Sequence, residues 1–313
     1  MKPLRKNVAI AIDGGGIRGV LITQALTILE THLNRPVHDI FRLAVGTSTG
    51  SIISAGIATG FTAKEMTELY IHMGETIFPD SLRKRLFPLT RYRYPIEPFN
   101  QALDTFFGDR KMGDFWKDDP RTDLVITTFD LEQNRTRFIK PWKEEFEDWP
   151  VASAVRASCS VPTIFPIVEN RFIDGGIGSY SNPCYIAAYE LKECLNWDLE
   201  ETTLISLGTG RSPYTFDSKT VSRSWAWDWI GRIAGAFTQS AADQQVNLVE
   251  TSFESLDFRR FQINMRESIQ MDDTRQIDRL VAYGARLGRM ITDDQFDTAQ
   301  GIIIKRPQGI PLG

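Results

Sequence analysis

Histidine and cysteine are both scarce in this 313-residue chain, with three of each. Cys159, Cys184 and Cys194 form no CxxC pair, which excludes a ribbon-type zinc site and a disulfide-framed miniprotein. So sparse and odd a count is expected of a reducing compartment. An excess of positive charge is missing too. With 36 basic against 40 acidic residues the net charge is −4, which argues against a nucleic-acid binder that neutralises phosphates. Long apolar runs are also absent. Basic residues lie in Met1–Lys6, but the apolar run Val8–Ile12 is only five residues long before Asp13. A signal-peptide core needs ~7–15 residues and a spanning helix ~18 or more, so the expectation is a cytoplasmic protein. What is present is globular: 42% hydrophobic, 24% charged and 11% aromatic residues exclude disorder and collagen. The length suits one large domain, expected to cover residues 1–313.

No repeat, low-complexity tract or long linker interrupts the chain. Val8–Ile12 is short, β-branched and bounded by glycine, as a buried parallel strand should be. Helical spacing follows in Val20, Leu21, Ala25, Ile28, Leu29 and Leu33. Phe41–Val45 predicts a second strand, Gly46–Gly50 a turn, and Ile52, Ile53 and Ile57 a helix. Thr62-Ala-Lys-Glu65 is a capping box that opens another helix, with Met66, Leu69, Tyr70 and Met73 on its inner face. Residues 79–122 lack a clean period and are expected to be an insertion. Further strands are predicted at Asp123–Phe129, Thr136–Lys140, Arg171–Ile173, Thr203–Leu207 and Phe258–Asn264, and helices at Ser222–Glu254 and Gln276–Met290. Alternating strands and helices predict a three-layer α/β/α fold with a largely parallel central sheet.

Two glycine-rich turns follow the first two strands. In Asp13-Gly-Gly-Gly-Ile-Arg-Gly19, residues Gly14, Gly16 and Gly19 satisfy G-x-G-x-x-G, the dinucleotide fingerprint. That reading needs an acid at the end of the second strand, and this strand ends Val45-Gly46-Thr47-Ser48; Asp39 lies before it. Gly46-Thr-Ser-Thr-Gly50 is a G-x-S-x-G, where small residues flank a serine on a sharp strand-to-helix turn and the helix dipole favours charge developing there. The bland reading is a tight turn with an incidental serine.

A serine nucleophile needs a base. His32, His38 and His72 all fall in the first quarter of the chain, and no histidine follows. The hydrolase order of acid and then histidine after the serine is therefore unavailable. A carboxylate must serve. Asp174, delivered by Phe172-Ile173 ahead of Gly175-Gly176, is one candidate, and its alternative is a turn cap. Asp13 sits in a similar setting that suits turn-fixing hydrogen bonds.

Taken in order, Asp13–Gly19, Gly46–Gly50 and Asp174–Gly176 resemble the three signatures of the patatin-like phospholipase family. Ala157-Ser-Cys-Ser-Val-Pro-Thr-Ile-Phe-Pro166, Asn182-Pro183 and Ser206–Gly210 are similar as well. The resemblance covers residues 8–210. It implies a Ser–Asp dyad, with Ser48 as nucleophile, Asp174 as general base, Gly46 and Gly50 shaping the nucleophile turn, and an oxyanion hole from the amides of Gly14, Gly15 and Gly16 with Arg18 nearby. It implies no cofactor and no metal. The expected activity is hydrolysis of membrane glycerophospholipids to fatty acid and lysolipid. Some bacterial members of the family are antiphage effectors switched on by cyclic nucleotides, so gating by such a ligand, or by homo-oligomer assembly, belongs to the expectation, with no nucleic-acid partner. The alternatives are a catalytically silent lipid- or nucleotide-binding module and, at Gly14–Gly19, a dinucleotide-dependent oxidoreductase.

A soluble lipase must also meet a membrane, and the expectation is peripheral contact with the inner membrane when active. Residues 211–313, predicted mostly helical, are the candidate lid or docking element. Trp225 and Trp229 lie one helical turn apart, with Arg232 and Ile233 on the same side; a core-packing helix is the alternative. The basic aromatic runs Arg83–Phe87 and Thr90–Tyr94 suit anionic headgroups, or solvent if they form a plain insertion.

Overall fold

Alternation along the first strand decides the architecture. In β1 (Asn7–Ile12), Val8, Ile10 and Ile12 enter one core while Ala9 and Ala11 enter another. A strand buried on both faces belongs to a sheet covered by helices on each side. The computed structural model describes residues 1–87, 89–116, 122–213 and 226–297. Its other strands are β2 (Leu43–Thr47), β3 (Asp123–Asp130), β4 (Arg135–Ile139), β5 (Phe172–Asp174), β6 (Thr202–Leu207) and β7 (Asp257–Phe261). Together they form one seven-stranded sheet in the order β4-β3-β2-β1-β6-β7, with β5 beside β3. Five strands run parallel, and β4 and β5 pair antiparallel to β3.

The covering helices are α1 (Gly19–Leu33), α2 (Thr49–Ala58), α3 (Ala63–Ile77), α4 (Glu97–Phe107), α5 (Val151–Cys159), α6 (Cys184–Tyr189), α7 (Ala226–Ser252) and α8 (Ile277–Thr292), besides shorter turns. On one face α1, α2, α3 and α8 pack around Ile10, Leu21, Ile53 and Leu287. Along the same face α4 and α5 cover Leu124 and Ile126 of β3. On the other face α6 and the later turns of α7 cover Ala11, Val45 and Val125. The three-layer, largely parallel expectation holds. So does the capping box: the Glu65 amide donates to Thr62 Oγ1 at 3.2 Å, and the Thr62 amide to Glu65 Oε2 at 2.8 Å.

Some expectations need correction. β2 begins at Leu43 rather than Phe41, because the Phe41 amide closes the preceding helical turn on Val37. Within residues 79–122 the solvated alternative for the basic aromatic runs does not hold at Tyr94, which is fully buried, and α4 buries Phe99, Leu103 and Phe107. A helical period is present after all in Phe99, Ala102, Leu103, Phe106 and Phe107, a single apolar stripe of which the first four residues line a cavity. The helix expected from Ser222 is described from Ala226 onward; Trp225 lies outside the described residues. Within α7, Trp229, Ile233 and Phe237 stand at four-residue spacing with exposures of 40%, 48% and 73%, so they do not pack as core residues. Among the described residues no helix is long and apolar enough to cross a membrane.

Candidate active site

Strand pairing brings Ser48 and Asp174 together across a gap of 126 positions. β2 and β4 flank β3 on opposite edges, because both pair with Ile126 and Thr127. β5 shares Thr128–Asp130 with β4, so it lies on the same edge of β3 as β2 and continues where β2 leaves off. Thr47 ends β2 opposite Thr127, and Asp174 ends β5 opposite Thr128. The two chains approach from opposite directions and turn away at this seam, Ser48 into α2 and Asp174 into a short turn at Gly175–Ile177.

The turn at Ser48 is tight. Its φ of 54° and ψ of −125° lie outside the ordinary regions for a side-chain-bearing residue, a strain of roughly 1–3 kcal/mol. The positions two residues to either side must be glycine: a Cβ on Gly46 would fall on the Gly50 carbonyl, and one on Gly50 on the Ile12 carbonyl. The Ser48 amide donates to Ser158 Oγ of α5 at 2.8 Å, and its carbonyl accepts the Ser51 amide at 2.8 Å. These bonds offset the strain and leave the hydroxyl uncommitted at the N-terminus of α2, where the helix dipole favours negative charge.

Asp174 is 4% exposed. Its Oδ1 accepts the Gly176 amide at 2.7 Å, while Oδ2 accepts no hydrogen bond. Burial pushes the carboxyl up from its usual range to about 6; the adjacent Ser48 hydroxyl and the Gly176 amide pull it part of the way down. The Ser48 hydroxyl is thus a neighbour of the carboxyl, and a contact of this kind commonly tightens when substrate binds. The strand itself is held by the Asp174 amide on the Ser160 carbonyl at 3.0 Å and by the Thr128 hydroxyl, within bonding reach of the Ala157 and Ile173 carbonyls.

The glycine loop stands against Ser48, but not all of it is open. The Gly14 amide donates to the Ser181 carbonyl at 2.9 Å, so it leaves the expected set of three oxyanion donors. Thr209 Oγ1 donates to the Gly14 carbonyl at 2.6 Å, and the Ile17 amide to the Met271 carbonyl at 2.8 Å. Pinned on both sides, the loop keeps the amides of Gly15 and Gly16, which have no acceptor among the described residues. The Arg18 guanidinium bonds the carbonyls of Gly15 at 3.2 Å and Gly210 at 3.3 Å, a brace for the loop. Asp13 is not a second base: it is buried in a bidentate pair with Arg260, at 2.8 and 2.5 Å.

Behind Ser48 opens an apolar cavity with roughly 760 Å³ of empty space, counting its open mouth. Ile52 of α2, Leu69 and Ile77 of α3, Phe99 and Phe106 of α4, and Phe165 line it. No histidine is among its lining residues; His32 and His72 are exposed, and His38 lies 3.9 Å from Asp39. A chemistry of serine, carboxylate and backbone amides beside an acyl-sized apolar space is what the residues offer.

Sequence reasoning did not find Ser158, Arg260 or the cavity wall from α4. Two adjacent buried arginines, Arg259 and Arg260, within β7 signalled a need for acidic partners, which Asp257 and Asp13 supply. Ser158 lay inside a recognised block, but nothing in its spacing pointed at the Ser48 amide.

Fold and site together define a class: three-layer α/β proteins carrying a serine on a strained strand-to-helix turn beside a buried aspartate. The patatin-like phospholipase family model matches residues 10–188, more than half of the chain. This protein belongs to that family. It is 31% identical over 224 residues to an intracellular phospholipase A2 of Caenorhabditis elegans, covering 66% of this chain and 20% of that one. It is also 24% identical to a cGAMP-activated phospholipase of Vibrio cholerae, covering 68% and 67% of the two chains. The chain therefore spans about a fifth of the worm protein's length. Among solved structures, VipD from Legionella pneumophila shares the fold, with a TM-score of 0.50 and 12% identity over 93% of this chain and 67% of that one.

Proposed function

We propose that this protein is a serine-dependent lipid acyl hydrolase of the phospholipase A type, with Ser48 as nucleophile and Asp174 as general base. The observation that carries this reading is the buried Asp174 carboxylate, its Oδ2 unpartnered, next to the hydroxyl of Ser48, which itself lines an apolar cavity. An acyl chain lies in the cavity and its ester carbonyl rests between Ser48 Oγ and the amides of Gly15 and Gly16. Asp174 takes the hydroxyl proton as Oγ forms a bond to the carbonyl carbon, and the two amides hold the oxyanion. Collapse of the intermediate breaks the ester bond; Asp174 returns the proton to the departing lysolipid alcohol. Water then gives its proton to the same carboxylate as it attacks the acyl-serine; collapse breaks the bond from Oγ to the acyl carbon, releases the fatty acid, and Asp174 returns the proton to Ser48 Oγ.

Membrane glycerophospholipids are the proposed substrate, met at the bilayer surface. Vesicles of phosphatidylethanolamine and phosphatidylglycerol test this: fatty acid and lysolipid should be released in equal amounts. Release of diacylglycerol or phosphatidic acid would contradict it. Ala102 faces the cavity from α4. Ala102→Phe should lower kcat/KM for long-chain esters relative to four-carbon esters by about tenfold or more, because a core of normal packing density does not stretch to fit the added ring.

The name of the Vibrio cholerae relative supports a further part of the reading, activation by a cyclic nucleotide. Stimulation of lipid hydrolysis by a panel of cyclic di- and trinucleotides tests it; unchanged rates with every member of the panel would remove it.

A further inference from the structure

Asp272 collects more positive charge than its own burial requires. It is 5% exposed, and its Oδ2 accepts the Tyr94 hydroxyl at 2.9 Å and Arg93 Nη1 at 3.1 Å. Lys84 Nζ stands 3.7 Å from the same oxygen and 3.5 Å from the Asp272 carbonyl. One cation would balance a buried carboxylate. Here there are two, and the cluster carries a surplus positive charge.

The cluster adjoins the cavity wall. Met271, the preceding residue, lines the cavity, is 38% exposed and holds the glycine loop through its carbonyl on the Ile17 amide. One residue step thus separates the carboxylate that gathers the cations from the carbonyl that fixes the loop. On the other side, the Arg93 and Tyr94 amides bond the carbonyls of Thr163 and Ile164, and the Tyr94 ring packs edge-on against Phe78, 5.3 Å away. Ile164 and Phe78 both line the cavity. Buried Tyr94 fixes the base of the cluster, while the Lys84 and Arg93 side chains remain 31% and 34% exposed. Arg93 Nε and Nη2 have no acceptor among the described residues. A guanidinium with free donors beside an ammonium suits a phosphate oxygen pair.

We propose that Lys84 and Arg93, gathered by Asp272 next to the cavity-lining Met271, form the subsite for the phosphodiester of the substrate's headgroup. This assignment rests on the lipid-hydrolase reading above and gives its substrate a charge. It places the acyl chain in the cavity, the ester at Ser48 and the phosphate on the cations, so a diacylglycerol lacks one of the three anchors. A cyclic dinucleotide carries the same phosphodiester chemistry, and the experiment separates the two sources.

KM and kcat are measured for phosphatidylglycerol and for diacylglycerol of the same chains, each at the same mole fraction in neutral detergent micelles. Lys84→Gln/Arg93→Gln should raise KM for the phospholipid about tenfold relative to KM for diacylglycerol, with little change in kcat. Arg93→Lys, which keeps the charge, should retain most of the discrimination. An equal KM shift for both lipids, or none, overturns the headgroup assignment. So does loss of a cyclic-dinucleotide stimulation in the double variant with the lipid ratio unchanged, since the bound phosphodiester is then the nucleotide's. A wild-type protein that hydrolyses neither lipid overturns the hydrolase reading and this subsite with it.

Discussion

Ser48→Ala is expected to lower ester hydrolysis by about 10⁴-fold or more while leaving the protein folded. The size follows from the mechanism: without Oγ there is no acyl-enzyme, and only the cavity and the Gly15 and Gly16 amides remain to favour attack by water. Removing the hydroxyl disturbs little else, because the Ser48 backbone groups, not its side chain, carry the bonds to Ser158 and Ser51. Alanine keeps the strained φ of 54°, whereas Ser48→Gly relieves it. The glycine variant should therefore be equally inactive but more stable, by about 1 kcal/mol, in denaturant unfolding. Hydrolysis by either variant at a rate near wild type would remove Ser48 from the reaction.

Asp174→Asn is expected to cost activity on a similar scale, about 10⁴-fold, since an amide cannot take the serine proton. The wild-type enzyme should show kcat/KM rising with pH through about 6 and levelling above it, because the carboxyl works only when ionised. Below that pH the rate should fall tenfold per pH unit. Stability should run the other way. Burial raises the folded-state pKa of Asp174 above the ordinary 3.8, so its effect on stability is favourable below about 3.8 and is lost as pH rises through about 6. Above pH 6 the ionised, buried carboxylate costs on the order of 3 kcal/mol. Asp174→Asn lacks that cost and should melt at a higher temperature than wild type at pH 8. An inactive variant with lowered stability at pH 8 would indicate instead that Asp174 is a structural cap.

Much of this site was legible before any coordinates. The short apolar strands, the capping box at Thr62 and the two glycine turns are local signals, and local signals survive translation into structure. The want of a histidine after His72 pointed to a carboxylate, and the block order picked Asp174. What the sequence concealed was relational. Nothing in it says that β5 continues the edge of β3 vacated by β2, yet that pairing is what brings residues 48 and 174 together. The Gly14 amide looked as available as its neighbours until the Ser181 carbonyl, far along the chain, was found on it. Residues 79–122 looked irregular as a whole, yet α4 carries one ordinary apolar stripe, Phe99, Ala102, Leu103, Phe106 and Phe107, which serves core and cavity together and was masked by the Pro- and Arg-rich residues before it. The tie between Tyr94 and Asp272 spans 178 positions and left no periodic trace.

The pairing of a serine with an aspartate is tested most directly by covalent labelling. A fluorophosphonate forms a bond only with an activated hydroxyl, and intact-mass and peptide mass spectrometry report where. Wild-type protein should take up one label, on Ser48, at a rate that rises with pH through about 6, and Asp174→Asn should remain unlabelled. Labelling at another residue, or equal labelling of Ser48 with and without the Asp174 carboxylate, would contradict the account.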